Sequence, residues 1–286
     1  MLSESQINSI IQKNLEYETP SNSLCATFCF EPKKQEEVKV EIIANQDNLI
    51  CGTRLIEAMF SHYYKNCSFN VLTQEGEYAK AGQKILSLEG PLTDLLETKE
   101  TLIYYLSRMS AIADLSQKYY FALKKKNTDT AILIEGRFWT PGMVLLEKFA
   151  SSLGGVKNHT RFFQKSITIE PHHLGTGETI TSLVNKLEER LSPTTKIQVH
   201  PENLIQVKEA SNLGVDLIVL KNFTKATLRM ALRIIQDKSL VEITGDITEN
   251  ELKEYSHLPI SFISTDLIIK KSGFSSFSFK VKNKND

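Results

Sequence analysis

Residues 135–142 read EGRFWTPG, and residues 154–159 read GGVKNH. A short apolar run at 131–134 precedes the first segment, and a helical pattern over 143–153 lies between the two. This order of strand, loop and helix is the unit from which parallel α/β sheets are built. The two segments therefore mark the start of a parallel α/β domain.

The same succession of strand and helix patterns recurs through most of the remaining chain. The strand-like runs lie at 131–134, 166–169, 196–199, 217–220, 241–244 and 262–264, and helical patterns lie at 143–153, 179–191, 203–213, 224–236 and 249–255. About six β-then-α units fit between residues 127 and 270, fewer than the eight of a full barrel. The pattern predicts a parallel sheet, either open or closed into a barrel.

The first third of the chain has a different pattern. We predict helices at 5–16 and 53–64, strands at 38–44, 69–73 and 84–89, and one long helix or a broken pair over 93–124. Residues 274–281 alternate like an edge strand that returns to this region. We therefore predict an N-terminal α/β sandwich domain at 1–115, joined by the tail 272–286, and an open α/β barrel domain at 116–271.

Composition limits the classes of partner. The 286 residues include 34 Lys and Arg and 34 Asp and Glu, so the net charge is zero. A chain without excess basic charge is a poor candidate for binding a nucleic-acid backbone. No leader pattern and no apolar run of about 18 residues occur. We expect a cytoplasmic protein with no membrane or nucleic-acid partner.

The four cysteines are expected to be reduced. Cys25 and Cys29 are four residues apart, but no second Cys or His pair follows at zinc-finger spacing. Cys51 and Cys67 are isolated. Packing as small apolar side chains is the expectation, and no metal site is predicted.

The candidate chemistry lies at the carboxyl ends of the predicted strands, where α/β barrels place their active sites. The residues that follow the apolar runs are Glu135, Arg137, Glu170, His172, His173, Gln198, His200, Lys221, Asn222, Gly245, Asp246, Thr265 and Asp266. Arg137 and His159 each follow a turn and are the best candidates to bind an anionic substrate. The alternative is that Arg137 is a surface ion-pair partner and His159 a loop residue.

The doublet His172-His173 suggests a metal pair at first sight. On an extended segment, adjacent side chains point to opposite faces, so two ligands from one doublet are not expected. We predict no metal there.

Seven segments form a pattern that is typical of one family: LSRMSAIA at 106–113, TPG at 140–142, LEKFA at 146–150, GG at 154–155, NH at 158–159, GVDLIVLKNF at 214–223 and EITGDIT at 242–248. In these segments the chain resembles the nicotinate-nucleotide pyrophosphorylase, or quinolinate phosphoribosyltransferase, family, from about residue 5 to about residue 281.

The resemblance implies an N-terminal α/β sandwich, an open α/β barrel and a homodimer whose sites are each completed by the partner's first domain. It also implies a decarboxylating phosphoribosyl transfer of NAD biosynthesis, in which quinolinate and phosphoribosyl pyrophosphate give nicotinate mononucleotide, carbon dioxide and pyrophosphate. Both substrates are anions, so clustered Arg, Lys and His are needed, with Mg²⁺ held by the phosphate donor.

Several residues match the family's site positions. The resemblance assigns catalysis to Arg137 and His159. It assigns substrate binding to the same two residues and to Arg108, Arg161, His173, Asn222 and Gly245, with Arg108 reaching the partner's quinolinate.

Other positions depart from the family pattern. Phe138 and Glu170 stand where the family has Lys, Thr160 where it has Arg, Gln198 where it has a carboxylate, Lys221 where it has Asp, and Asp246 and Asp266 where glycine backbones approach a phosphate. The opposite exchanges at Glu170 and Lys221 suggest a rewired ion pair.

Three hypotheses remain open from the sequence. The first is a working, divergent pyrophosphorylase. The second is a paralogue with altered or lost catalysis that acts by binding or regulation. The third, motivated by the segment EPHH at 170–173, is a member of the molybdenum-transport-associated branch of the family.

Overall fold

A computed structural model describes residues 37–124, 131–159, 166–175 and 177–282, together with Ser9 and Gln12. Several predictions fall outside this part of the chain: the opening helix over 5–16 and every statement about Cys25, Cys29, Thr160 and Arg161.

Between residues 132 and 271 the described strands alternate with helices, as the sequence predicts. The strands are β1 Glu37–Ala44, β2 Asn48–Leu49, β3 Ser68–Val71, β4 Tyr78–Ala79, β5 Lys84–Pro91, β6 Ile132–Glu135, β7 Ser166–Ile169, β8 Lys196–Val199, β9 Leu217–Lys221, β10 Leu240–Gly245, β11 Phe262–Thr265 and β12 Phe277–Lys282. The helices are α1 Thr53–Tyr63, α2 Leu92–Lys124, α3 Val144–Leu153, α4 Pro171–Leu174, α5 Ile180–Glu188, α6 Leu204–Leu213, α7 Lys225–Ile235, α8 Glu249–Tyr255 and α9 Leu267–Lys271.

One sheet is antiparallel, in the order β12-β1-β5-β3. Alternate residues of β1, from Val38 to Ala44, are buried, while Lys39 pairs across the other face with Glu89 of β5. The tail strand β12 lies antiparallel to β1 at the edge of this sheet. The predicted return of the tail is therefore confirmed.

Helix α2 is continuous over 33 residues. The sequence offers no Gly or Pro between Leu92 and Lys124 to break it. Its buried side chains include Leu95, Leu102 and Leu106, which recur at helical spacing. Of the two alternatives drawn from the sequence, the single long helix is the one observed.

The other large sheet has six parallel strands in the order β6-β11-β10-β9-β8-β7. Its two outer strands, β6 and β7, are not paired with each other, so the barrel is open. Beyond β6, Lys157 forms an isolated parallel bridge with Ile134. The fold is thus α/β, with an N-terminal sheet domain and an open parallel α/β barrel, as predicted.

The chain groups into two compact units by its internal contacts. The first contains residues 1–118, 139–155 and 269–286, and the second contains 119–138 and 156–268. The predicted domains differ from this grouping in one main respect, because they assign 139–155 to the barrel. This grouping does not test whether the predicted segments are independent folding domains, so the domain boundaries stay a prediction.

The doublet His172-His173 differs from the expectation drawn from the sequence. His172 and His173 lie on the short helix α4, not on an extended segment, and their ring centroids are 4.1 Å apart. The geometric reason given against a metal pair is therefore wrong.

Within the described ranges, no helix has the length and hydropathy of a membrane span.

Candidate functional site

The carboxyl end of β6 brings Arg137 to the mouth of the barrel through a close backbone approach. A side chain on Gly136 would place its Cβ 2.3 Å from Asp266 Oδ1 and 2.7 Å from the carbonyl oxygen of Thr265. Only glycine fits between the ends of β6 and β11 without displacing backbone. This contact fixes the direction in which Arg137 leaves the strand.

His159 reaches the same place by a different route. The Lys157 amide donates to the carbonyl of Leu133, and the Lys157 carbonyl accepts from the amide of Glu135. The His159 amide then donates to Glu135 Oε1 at 3.1 Å. The segment before His159 therefore runs alongside β6 and delivers the imidazole next to Arg137.

A buried carboxylate joins the two side chains. Arg137 donates from Nη1 to Glu242 Oε1 at 2.6 Å and from Nη2 to Oε2 at 3.1 Å. Glu242 is fully buried, and Ser264 donates its hydroxyl to Oε1 at 2.5 Å. The structure thus brings the two predicted catalytic residues, Arg137 and His159, together at Glu242. The sequence analysis predicted no role for this carboxylate.

These neighbours stabilise the ionised form of the Glu242 carboxylate. Burial alone would raise its pKa, but hydrogen bonds from His159 and Arg137 outweigh burial and lower the pKa to about 2. His159 Nε2 lies 3.3 Å from Glu242 Oε2 and 3.1 Å from Arg137 Nη2. One nitrogen cannot donate to the first and accept from the second at once, so the tautomer of His159 selects the partner.

Asp266 occupies the backbone donors at the start of the loop after β6. Its Oδ1 accepts from the amide of Arg137 at 2.9 Å and from the amide of Phe138 at 3.2 Å. Successive backbone amides that converge on one point form an anion-binding nest. Here the anion is a side chain of the protein.

A second group of side chains lies at the ends of β7 and β8. Glu170 Oε2 is 3.3 Å from His200 Nδ1, and the Glu170 amide donates to His173 Nδ1 at 2.9 Å. His173 therefore takes part in the capping box of α4. The predicted ion pair between Glu170 and Lys221 does not occur in the described structure, where the contact of Glu170 is with His200.

His200 is held in its neutral form. Burial lowers its pKa to about 4, the positive charges of Arg137 and Lys221 act in the same direction, and the negative charge of Glu242 only partly opposes them. No described residue is a hydrogen-bond partner of its buried Nε2. The His200 side chain is 6% exposed, so this polar atom is withdrawn from bulk solvent.

The remaining strand ends carry the other predicted positions. Asn222 and Gly245 both have positive φ angles, 60° and 143°, at the ends of β9 and β10. The side-chain oxygen of Asn222 lies 3.8 Å from the point where a Cβ on Gly245 would stand. Lys221 is exposed, and Gln198 is buried with an Oε1 that no described residue contacts by a hydrogen bond.

Arg108 lies in the first unit, on α2. Its guanidinium donates to Glu147 Oε1 at 2.8 Å, to the Ile269 carbonyl at 3.1 Å, and to Ser272 Oγ and the Gly273 carbonyl at 2.6 and 3.3 Å. The side chain is 11% exposed and that of Glu147 is fully buried. Arg108 thus ties α2 to α3 and to the segment before β12. Its predicted role toward a partner's substrate stays a prediction.

The described residues do not form a protein-held metal site. No group of three or more His, Cys, Asp and Glu side chains in the described ranges has the arrangement to hold an ion. Two positions where the family has carboxylates carry Gln198 and Lys221, which are poor ligands for Mg²⁺.

The sequence missed Glu242 as a site residue. The signal was present: a carboxylate stands in the middle of the apolar strand LVEITG, where a buried charge requires a partner. Its partner Arg137 is 105 residues away in sequence, so spacing alone did not connect them.

Comparison with known proteins adds to this geometry. The chain matches the model of the quinolinate phosphoribosyl transferase C-terminal domain over residues 112–280 and that of the N-terminal domain over residues 25–110. A probable nicotinate-nucleotide pyrophosphorylase (carboxylating) from Synechocystis sp. is 26% identical over 242 residues, covering 84% of this chain and 81% of that protein. The protein of the same name from Methanocaldococcus jannaschii is 27% identical over 264 residues, covering 89% and 90%.

Solved structures agree on the fold. NadC from Streptococcus pyogenes superposes with a TM-score of 0.85 at 22% identity, covering 99% of both chains. Nicotinate-nucleotide pyrophosphorylase from Ehrlichia chaffeensis gives a TM-score of 0.87 at 20% identity, covering 98% of this chain and 99% of that one. The resemblance stated from the sequence is confirmed by both domain models. The chain belongs to the quinolinate phosphoribosyl transferase family.

Proposed function

We propose that the barrel mouth is a small-molecule site of the nicotinate-nucleotide pyrophosphorylase type in which the transfer of a phosphoribosyl group to quinolinate is lost or strongly slowed. The protein then acts as a paralogue with altered catalysis that binds a less anionic ligand. One observation carries the proposal: the Asp266 carboxylate accepts from the amides of Arg137 and Phe138. The family resemblance assigns that position to a glycine close to the substrate's phosphate.

The charge balance of the mouth supports this proposal. Among the described residues at the strand ends, the cations are Arg137 and Lys221, and Arg137 is already neutralised by Glu242. With that ion pair set aside, the acids at the same strand ends are Glu135, Glu170, Asp246 and Asp266, and the cation is Lys221. Such a mouth opposes a dicarboxylate and a polyphosphate.

The loss of substrate affinity can be estimated from the number of missing cations. A charge-assisted hydrogen bond contributes about 1.5–3 kcal/mol. The family's cations are absent at Phe138, Thr160 and Glu170. Three such losses amount to roughly a thousand-fold or more in affinity. Acids at Asp246 and Asp266 add repulsion in the same direction.

The test is an assay of nicotinate mononucleotide formation from quinolinate, phosphoribosyl pyrophosphate and Mg²⁺. We expect the protein to fall at least a thousand-fold below a turnover of about 10 per second, which is typical of enzymes. The triple variant Phe138→Lys, Glu170→Lys, Asp266→Gly restores the family residues and is expected to raise the rate at least tenfold.

The matched control is Ile205→Lys, Glu188→Lys, Asp237→Gly, because it makes the same three types of change at exposed positions outside the site. Its rate should equal that of the unchanged protein. Ordinary turnover by the unchanged protein would contradict the proposal, as would an equal gain in the two triple variants.

A working pyrophosphorylase is the second candidate. The bidentate contact of Arg137 with a buried carboxylate favours it, because a guanidinium fixed in this way is pre-organised to face an anion. On this hypothesis the unchanged protein has measurable turnover and Arg137→Ala abolishes it. If the variant keeps the same low rate, catalysis by Arg137 is rejected.

Further proposals follow from the family alone. We expect a homodimer, a cytoplasmic location, and Mg²⁺ bound with phosphoribosyl pyrophosphate if transfer occurs. Size-exclusion chromatography with light scattering tests the dimer. The molybdenum-transport hypothesis stays a prediction, and a molybdate-transporter gene beside the gene of this protein would support it.

A further inference from the structure

Two buried polar atoms at the end of β8 have no hydrogen-bond partner within the described part of the chain, namely Gln198 Oε1 and His200 Nε2. The two residues are 7% and 5% exposed. They are two positions apart on an extended segment, so their side chains lie on the same face. An unsatisfied buried polar atom is destabilising, and a bound molecule that supplies the missing hydrogen bond recovers that loss.

The strand register shows that this face belongs to the mouth. Val199 of β8 pairs with Ile218 of β9. The next layer of the sheet therefore contains His200 and Val219, and Val219 pairs with Glu242 of β10. Glu242 is the buried carboxylate of the mouth, so the two unpartnered atoms face the site already described.

Glu170 determines the hydrogen-bonding role of His200 Nε2. The imidazole is neutral near pH 7, because its pKa is lowered to about 4. Its Nδ1 lies 3.3 Å from Glu170 Oε2, and a carboxylate only accepts, so the single ring proton is on Nδ1. Nε2 is then an acceptor, as is the carbonyl oxygen of Gln198. Two acceptors whose backbones are about 6–7 Å apart match the two hydrogens of a primary amino group.

A cation lies one layer closer to the solvent. Lys221 is two residues beyond Val219 on β9, so its side chain is on the same face. It is exposed, and its positive charge reaches His200, whose pKa it helps to lower. From the spacing of residues and strands, the Cα atoms of Lys221 and His200 are about 8 Å apart. One six-membered ring with substituents at opposite positions spans such a separation.

We propose that the mouth binds an aromatic monocarboxylate that carries a primary amino group at the opposite end of its ring. The amino group donates to His200 Nε2 and Gln198 Oε1, and the carboxylate contacts Lys221. The inference rests on the function proposed above and names the class of the less anionic ligand. The acids at the strand ends oppose a second carboxylate, and His200, to which the family resemblance assigns no role, selects the amino group.

The test compares three probes of equal size. 4-Aminobenzoate has both groups, 4-methylbenzoate has a methyl group in place of the amino group, and 4-methylaniline has a methyl group in place of the carboxylate. Titration calorimetry on the full chain at neutral pH is expected to show one saturable site for 4-aminobenzoate, with an affinity at least tenfold above those of the other two. Absence of saturable binding, or equal affinity for 4-aminobenzoate and 4-methylbenzoate, would overturn the proposal. This comparison uses the unchanged protein and does not depend on the folding of a variant.

Variants assign the two ends of the ligand. His200→Phe keeps a buried ring without the acceptor, and it is expected to lower the ratio of the 4-aminobenzoate and 4-methylbenzoate affinities at least threefold. A purely structural role of His200 would weaken both probes alike and leave the ratio unchanged, which would contradict the assignment. Lys221→Met is expected to weaken both carboxylates at least fivefold and to leave 4-methylaniline unaffected. Lys208→Met is the matched control, because Lys208 is an exposed lysine on α6, and equal losses in the two lysine variants would reject the contact with Lys221.

The binding test and the turnover assay fail separately. Ordinary turnover of quinolinate would reject the function proposed for the mouth. Low turnover together with equal binding of 4-aminobenzoate and 4-methylbenzoate would leave that function unaffected and would reject only the present inference. Circular dichroism of each variant checks that the fold is retained.

Discussion

At the residue scale, the barrel mouth is built from acids that meet polar groups of the protein itself. Glu242 meets Arg137, Asp266 meets two backbone amides, and Glu170 meets His200. Each contact satisfies a group that a bound anion would otherwise satisfy. Fold stability and anion binding therefore compete for the same donors.

The buried His200 makes stability depend on pH. Its pKa is lowered by burial to about 4 in the folded chain, against 6.5 in a model peptide. Between these values the unfolded chain binds a proton and the folded chain does not, so stability falls as the pH falls from about 6.5 to 4. Two and a half pKa units correspond to about 3 kcal/mol.

Urea unfolding between pH 7 and pH 4 measures this effect. We expect His200→Gln to lose about 3 kcal/mol less than the unchanged protein over that interval. His62→Gln is the control, because His62 is exposed, and its curve should follow that of the unchanged protein. Parallel curves for His200→Gln and the unchanged protein would show that His200 is not held neutral.

At the scale of elements, sequence signals located most of the barrel. Thr179, Asn203, Thr224 and Thr248 accept hydrogen bonds as N-caps of α5, α6, α7 and α8, as their residue types predict. The helix α4 was missed because the doublet His172-His173 was taken to lie on an extended segment, although Pro171 is at a position where helices favour Pro. The strand pairs that sequence periodicity cannot supply are those between distant segments, such as β6 with β11.

Gly154 shows how closely two helices pack in the first unit. A Cβ at this position would lie 2.4 Å from the Ala113 carbonyl oxygen and 2.8 Å from the Gln117 amide nitrogen, both on α2. The backbone of a long helix cannot move away locally, so Gly154→Ala is expected to destabilise the protein by about 3 kcal/mol. That loss corresponds to a lower melting temperature by about 5–10 °C.

Differential scanning calorimetry tests this expectation. The control is Gly175→Ala, whose Cβ would meet its nearest neighbour, the His172 carbonyl oxygen, at an ordinary 3.5 Å. Its φ is −64°, which alanine adopts without strain. Equal melting temperatures of the two variants would mean that α3 ends farther from α2 than the structure shows.

At the scale of the whole molecule, the path of the chain explains which site residues the sequence predicted. Arg137 and His159 are 22 residues apart and flank one helix, so their proximity followed from a single strand-loop-helix unit. Glu242 joins them only because a single strand, β11, separates β10 from β6 in the sheet. The order of the strands depends on hydrogen bonding between segments that are far apart in the sequence. Local sequence patterns therefore could not predict it.

The same path brings the end of the chain back to its beginning. β12 pairs with β1 over six residues and adds the ion pair of Lys282 with the buried Glu41. Without β12, the edge of β1 and the apolar residues beside Phe277 are exposed to water. Removal of residues 276–286 is therefore expected to destabilise the first unit by about 3 kcal/mol or more and to promote aggregation.

Urea unfolding and size-exclusion chromatography measure this loss against a shorter truncation. Removal of residues 283–286 keeps all of β12 and should leave the unfolding midpoint unchanged. Within the longer truncation, the barrel unit takes no strand from the deleted segment, so its own transition should survive as a separate step. Equal midpoints for the two truncations would show that β12 adds nothing to the first sheet. A single cooperative loss of both units would instead mean that the barrel depends on that sheet to fold.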